Sequence, residues 1–199
     1  MKITEKEVVA VLKRQIEKSQ NKFTELGYDP AAVRDRVVAL ASSYGNPVLD
    51  VGTGSCACMA VALARRGLVV TAIDHASSAI RIAEQRITSE LNNNLKVQHA
   101  EATRLPFLDN SFQVVTAFDV LCHAADPLAV VAEMFRVGSN GGAIIVSELN
   151  DAGRRITNHL DYGFEKKLSE LLIHNCNHCQ QLDDNHHVTM VCENRKVHY

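Results

Sequence analysis

Residues 48–67 read VLDVGTGSCACMAVALARRG, and their order decides the fold. Val48 to Val51 suit a buried strand. Gly52 and Gly54 follow, and a glycine pair lets the backbone turn sharply and come close to a ligand. From Cys56 to Arg65 the apolar residues return at helical intervals, so the stretch reads strand, tight turn, helix. A helix that opens in such a turn points free amide groups at whatever lies above the strand end. Two residues do not fit a plain phosphate cradle: Asp50, an acid beside the turn, and Cys56, where a third glycine is expected.

Working outward, apolar runs and helical runs alternate from Pro47 to about Asn150. Strands are expected at 47–51, 68–73, 95–100, 112–118 and 143–149, with helices at 56–65, 77–91 and 127–137. The strands are near-continuous Val/Ile/Leu runs, which a sheet covered on both faces requires. Upstream, 5–26 and 31–41 read as two helices broken at GYDP, with Asp29 as cap and Pro30 at the first helical position. Val8, Val9, Leu12 and Ile16 give the first of them an apolar side. It either packs on the sheet or closes over the site as a lid through Phe23 or Tyr28. Downstream, a helix over 163–173 precedes two short segments, 176–182 and 186–197, that read as a closing hairpin. The whole chain, 1–199, is expected to be one domain: a helical cap (1–45), a core (46–150), and a C-terminal helix with hairpin (151–199).

Composition agrees and narrows the partners. The chain has 199 residues, of which 46% are hydrophobic, enough for one full-sized core. A net charge of -2 without long basic runs gives no reason to expect nucleic acid or an anionic membrane. The charged start and the lack of a long apolar run point to a cytoplasmic protein without a membrane span. The six cysteines lie mostly in apolar segments and read as reduced thiols. Nothing in the sequence sets the oligomeric state.

Two cofactor classes compete for the turn. Gly52, Gly54 and Ala57 satisfy GxGxxA, and Asp74 ends the next strand about 20 residues on, where a carboxylate takes ribose hydroxyls. An NAD-dependent oxidoreductase explains both. It does not explain Asp50, since a carboxylate beside a pyrophosphate is unfavourable, whereas one beside an ammonium group is not. Nor does it explain a terminal hairpin in place of further strand–helix units.

With Asp50, the glycine turn, Asp74 and the segment AEATRLPFLDNSFQVVTAFDVLCHAADP in register, residues 47–149 resemble the class I S-adenosylmethionine (SAM)-dependent methyltransferases, in particular the small-molecule type. The resemblance implies a three-layer α/β/α Rossmann-like fold. Its sheet would have seven mostly parallel strands in the order 3-2-1-4-5-7-6, with the last strand antiparallel. It also implies SAM as methyl donor, S-adenosylhomocysteine as product and a small-molecule acceptor. Asp50, Gly52, Thr53 and Gly54 would line the methionine part, Asp74 would hold the ribose, and His75, Glu101 and Ala102 would lie at the adenine. Phe118 would offer its backbone carbonyl to the ammonium group. The sequence departs from the family pattern at Cys56, at Glu101 in place of Asp, and at VGSNGG in place of LKPGG. Cys56 is expected to turn away from the cofactor into the helix packing.

Catalytic groups are thinly marked, because an already activated methyl donor needs alignment more than acid–base help. His123, Asp119 and Asn150 are the candidates, with Glu148 and Asp151 beside them at strand ends. For each, a framework or solvated role is the competing reading. A non-catalytic SAM-binding protein is the remaining alternative. In HNCNHCQQLDDNHH, Cys176 and Cys179 have CxxC spacing among histidines 174, 178, 186 and 187. A strand over 176–182 would place the two thiols on opposite faces, and no metal site is expected.

Overall fold

The computed structural model describes residues 7, 10, 11, 14, 18, 22–87, 91, 93–158, 164–173, 175, 176 and 178–194. Seven strands form one sheet: β1 Val48–Val51, β2 Val70–Asp74, β3 Leu95–His99, β4 Phe112–Phe118, β5 Gly138–Leu149, β6 Cys179–Asp183 and β7 His187–Asn194. Their spatial order is β3-β2-β1-β4-β5-β7-β6, as the family resemblance implies. The pairs among β1 to β5 are parallel, and β7 is antiparallel to both β5 and β6.

Strand alternation sends neighbouring side chains to opposite faces. Leu49, Val115, Ile144 and Val146 pack on one side with helices α4 (Pro127–Val137) and α6 (Phe164–Ile173). Val48, Val114, Ala143 and Ile145 pack on the other with α1 (Pro30–Tyr44), α2 (Cys58–Arg65) and α3 (Ser77–Arg86). The short α5 (Asp151–Thr157) follows β5 directly. Both faces are thus covered, which is why the central strands contain almost no exposed residue.

The helix starts have local causes. Asp29 accepts from the Ala31 and Ala32 amides with Pro30 in the first turn, and Asp126 accepts from Ala129 ahead of Pro127. Arg136 fastens the loop between β3 and β4 to α4: it donates to the carbonyls of Leu105 and Phe107, and pairs with Glu133 and Asp109. That loop carries Glu101 and Ala102, so a partly exposed network of several bonds holds one wall of the cleft in place.

Several boundaries move. α3 ends at Arg86, not 91, because Ile87 is already extended; Leu91 is still buried in the core. β5 begins at Gly138, five residues before the expected 143, through an irregular register opposite Phe112 to Val114. A side chain at Gly142 would sit 2.3 Å from the Gln113 carbonyl oxygen, so only glycine allows that approach. Val8, Val9, Leu12 and Ile16, and the segment 195–197 expected in the hairpin, lie outside the described residues.

The cysteine expectation is corrected. β6 runs from Cys179, so Cys176 precedes the strand and its sulfur is not forced to the opposite face; the two Sγ atoms lie 3.0 Å apart. The β6–β7 register places Cys179 opposite Cys192, with their Cα atoms 4.1 Å apart, and the two form a disulfide. Cross-strand partnership depends on register, and neither cysteine count nor spacing announces it.

Candidate functional site

The carboxyl ends of β1, β2, β4 and β5 open into two adjoining cavities, at the edge where open α/β sheets take ligands. The larger, about 520 Å³, is lined by Gly52, Asp74, His75, Glu101, Ala102 and, on its far side, Asp119 and His123. The smaller, about 350 Å³, is lined by Asp50, Gly52, Thr53, Phe118, Asp119 and His123, with Phe23 and Tyr28 entering from the N-terminal segment. Gly52, Asp119 and His123 border both.

Gly52 is held at φ +70°, and a Cβ there would meet the two Val120 methyls at 2.6 and 2.8 Å. Gly52→Ala therefore combines a left-handed alanine with overpacking against a stiff β-branched side chain. Its unfolding free energy should fall by about 1–3 kcal/mol in urea titration, with loss of ligand affinity because the same atom borders both cavities. Gly54, also at positive φ, does not line either cavity; its amide donates to Asp74 Oδ2 at 2.9 Å. The Thr53 amide donates to the Ile73 carbonyl. Two amides that a pyrophosphate would need are thus already engaged, which disfavours the dinucleotide reading of the glycines.

Asp50 is 1% exposed. Its Oδ1 accepts from the Thr116 hydroxyl at 3.0 Å, while no group meets hydrogen-bond geometry at Oδ2. Burial pushes this carboxyl up to about 7, against smaller opposing contributions from Thr53 and Thr116. A buried carboxylate with an orphaned oxygen beside a cavity fits a cationic group. The amino group of SAM's methionine end is of that kind, so the residues present fit this cofactor.

Asp74 Oδ1 accepts from the Ala76 amide at 2.9 Å, which together with Gly54 fixes its plane while leaving lone pairs for ribose hydroxyls. His75 is largely exposed at the larger cavity's rim, with Nδ1 3.6 Å from Asp74. Glu101 and Ala102 line the same cavity, as expected. Phe118 borders the smaller one, and its ring stacks on His187. Cys56 does not turn wholly into helix packing as expected. It borders the smaller cavity, and its sulfur accepts from the Cys58 amide at 3.4 Å, because Ala57 in left-handed geometry swings the turn outward before α2 starts.

Of the catalytic candidates, Asp119 and His123 reach the cavities and Asn150 does not. Asn150 caps α5 by accepting from Gly153 and donates to the Asp184 carbonyl, so its amide is committed to structure. Glu148 is fully buried and accepts from the Val120 and Leu121 amides, holding the loop after β4. Desolvation, with Asp119 nearby, pushes Glu148 up to about 7.

Sequence reasoning missed His187. It is fully buried, and its Nε2 lies 3.1 Å from Asp119 Oδ1. Phe118 and Tyr28 stack on its two sides with ring centroids 5.1 and 5.5 Å away. Asp119 itself adopts φ +55°, an uncommon conformation for a non-glycine residue, at the wall shared by the cavities. The hairpin places His187 opposite Leu149 at the end of β5, and one signal was available: a histidine at the start of the mostly apolar run VTMVC. The N-terminal segment is tied to this point, since Arg36 pairs with Asp184, whose Oδ1 accepts from the His186 and His187 amides.

Comparison with known proteins agrees with this geometry. Residues 49–146 match the family described as a methyltransferase domain. The ubiquinone biosynthesis O-methyltransferase of Albidiferax ferrireducens is 37% identical over 107 residues, 53% of this chain and 42% of that protein. The demethylmenaquinone methyltransferase of Clavibacter sepedonicus is 32% identical over 112 residues, 56% of this chain and 44% of that protein. The chain thus spans less than half the length of these curated relatives. Among solved structures, a SAM-dependent methyltransferase from Aquifex aeolicus matches with a TM-score of 0.64 at 18% identity, over 87% of this chain and 97% of that one. The [4+2]-cyclase SpnF matches with a TM-score of 0.60 at 25% identity, over 75% of this chain and 59% of that one. No helix among the described residues is long and apolar enough to cross a membrane. Residues 49–146 are thus a methyltransferase domain, set in a sheet with the strand order of the class I SAM-dependent methyltransferase family.

Proposed function

We propose that the chain transfers the methyl group of SAM to a hydroxyl oxygen of a small acceptor with a flat apolar body. The observation that carries this reading is the meeting of two cavities at Gly52, Asp119 and His123. The larger suits the nucleoside half of the donor. The smaller has room for its methionine end and an acceptor.

When bound, SAM supplies an electrophilic methyl on a sulfonium, so the protein's contribution is alignment in a water-poor space. Asp50 receives the cationic amino group, and Asp74 receives the ribose hydroxyls. Phe23, Tyr28 and Phe118 offer ring surfaces to the acceptor, as apolar pockets with a few polar groups do. Asp119, at the shared wall, accepts the proton that the acceptor hydroxyl must lose, and His187 holds its carboxylate in place. The curated relatives named as O-methyltransferases support oxygen over nitrogen or sulfur. An acceptor of this size favours a small molecule over protein or RNA.

Calorimetric titration with SAM, S-adenosylhomocysteine and NAD, then transfer of labelled methyl to panels of hydroxylated rings, amines and thiols, tests the reading. NAD binding without SAM binding would sink it, and so would transfer to amines or thiols alone.

The ionisation of Asp50 gives a pH signature. Only the carboxylate attracts the ammonium, so below about pH 7 SAM affinity should fall by up to about tenfold per pH unit, with a proton released on binding. The stability of the free protein runs the other way. Asp50 and Glu148 bind protons more tightly folded than unfolded, so stability declines as pH rises from about 4 to about 7. Calorimetry across pH 5.5–8 checks both; an affinity independent of pH would remove Asp50 from the ammonium site.

A further inference from the structure

A second cluster of chemistry lies away from the cleft. Cys192 stands five residues along β7 from His187, roughly 17 Å at strand spacing. Its disulfide partner Cys179 faces it on β6, and Cys176 Sγ lies 3.0 Å from Cys179 Sγ. The three sulfurs all lie within 4.8 Å of one another. Cys192 is fully buried, whereas Cys176 and Cys179 are partly exposed, so the cluster has one open side.

The local backbone is arranged around these sulfurs. The amide of His178 donates to the Cys176 sulfur. Amide-to-sulfur bonds of this kind orient and support metal-bound thiolates. Leu172, near the end of α6, is fully buried, and its carbonyl oxygen lies 3.4 Å from the same sulfur. A disulfide bonds two of the three sulfurs and leaves the third beside them at hydrogen-bond distance only. A thiophilic cation uses all three.

We propose that, once the Cys179–Cys192 disulfide is reduced, Cys176, Cys179 and Cys192 together bind one thiophilic divalent cation of the Zn²⁺ type. Metal–sulfur bonds of about 2.3 Å hold tetrahedral thiolates roughly 3.8 Å apart, a spacing the cluster reaches by small side-chain rotations. Three protein ligands leave a fourth position for water on the open side. The chemistry balances with a dithiol reductant. The dithiol gives two electrons and two protons to the Cys179 and Cys192 sulfurs and closes into its own disulfide. The cation then displaces three thiol protons and forms three metal–sulfur bonds. Bound there, it joins the end of α6 to the hairpin, and a small-molecule disulfide that takes two electrons from the Cys179 and Cys192 sulfurs, itself becoming two thiols, restores the protein disulfide and expels the cation.

The test uses the full chain, reduced with dithiothreitol and desalted without oxygen. Zn²⁺ is titrated against a chromophoric chelator, and Co²⁺ is followed by thiolate-to-cobalt charge-transfer absorption. One Zn²⁺ per chain is expected after reduction and none before it. Cys176→Ser, Cys179→Ser and Cys192→Ser should each lose more than the roughly 10–100-fold that removal of an outer partner costs; Cys58→Ser should retain the parent's affinity. Cys176→Ser keeps both disulfide partners, and circular dichroism confirms that it is folded. A reduced parent that takes no Zn²⁺ from the chelator overturns the proposal, as does a folded Cys176→Ser that binds Zn²⁺ as tightly as the parent.

Discussion

Asp50→Asn is expected to weaken SAM binding by about 30-fold or more while making the free protein more stable. The two effects have one origin. Asp50 is buried with one oxygen unpartnered, and its carboxyl is held near 7 by desolvation, so its charge opposes folding at neutral pH. Asparagine keeps the shape and can still accept from Thr116 while removing the charge. The ammonium of the ligand then loses its counter-charge in a dry site, which costs about 2–5 kcal/mol when one partner of a buried pair is removed. Isothermal titration and thermal melts on the same samples check the pair of outcomes. A variant that loses affinity and stability together would mean that the substitution has broken the turn. Unchanged affinity would mean that the ammonium lies elsewhere.

Asp119→Asn should lower kcat by roughly 100- to 10,000-fold, the range attributed to a positioned base, with a much smaller effect on SAM affinity. The carboxylate sits where both cavities meet, and asparagine cannot take a proton from a hydroxyl. His187→Gln separates positioning from proton transfer. Glutamine can still donate to Asp119, so a smaller loss is expected, and the loss should shrink as acceptors of lower pKa are tried. Single-turnover methyl transfer with phenols of graded acidity reads this directly. If Asp119→Asn turns over at the parent rate for every phenol, the proton goes to another group, and His123 is next, since it borders both cavities.

The parts legible in the sequence were those whose causes are local. β4 keeps its expected bounds because Phe112–Phe118 is a mostly apolar, β-branched and aromatic run, and Asp29 and Pro30 marked the start of α1 because capping and ring geometry act over three residues. Asp50 and Asp74 could be placed at strand ends because the glycine turn fixes their position. The acceptor side was not legible. His187 reaches Asp119 across 68 residues of sequence, through a hairpin register that pairs it with Leu149. Asn150 looked like a loop residue free to act, but the helix that begins at Asp151 claims it as a cap. The cysteines were misread for the same reason: Cys179 and Cys192 become neighbours only when β6 and β7 align, and Cys176 escapes strand alternation by a mere three residues.

The two links between the N-terminal segment and the hairpin are unequal. The Arg36–Asp184 ion pair involves a half-exposed arginine and contributes little. The stack of Tyr28 on His187, with Phe23 behind it, buries aromatic surface and is the stronger tie. Residues 23–36 and 184–187 both lie outside the stretch shared with the methyltransferase family, 49–146. The donor side of the cleft lies within that stretch, whereas the aromatic wall of the smaller cavity takes Phe23 and Tyr28 from one flank and rests on His187 from the other. Because that wall is built from two flanks leaning on each other, a change in the rings of one flank is felt by the other. On the proposed function, a change of acceptor would therefore have to be negotiated between the chain's two flanks, while the centre keeps its donor side unchanged.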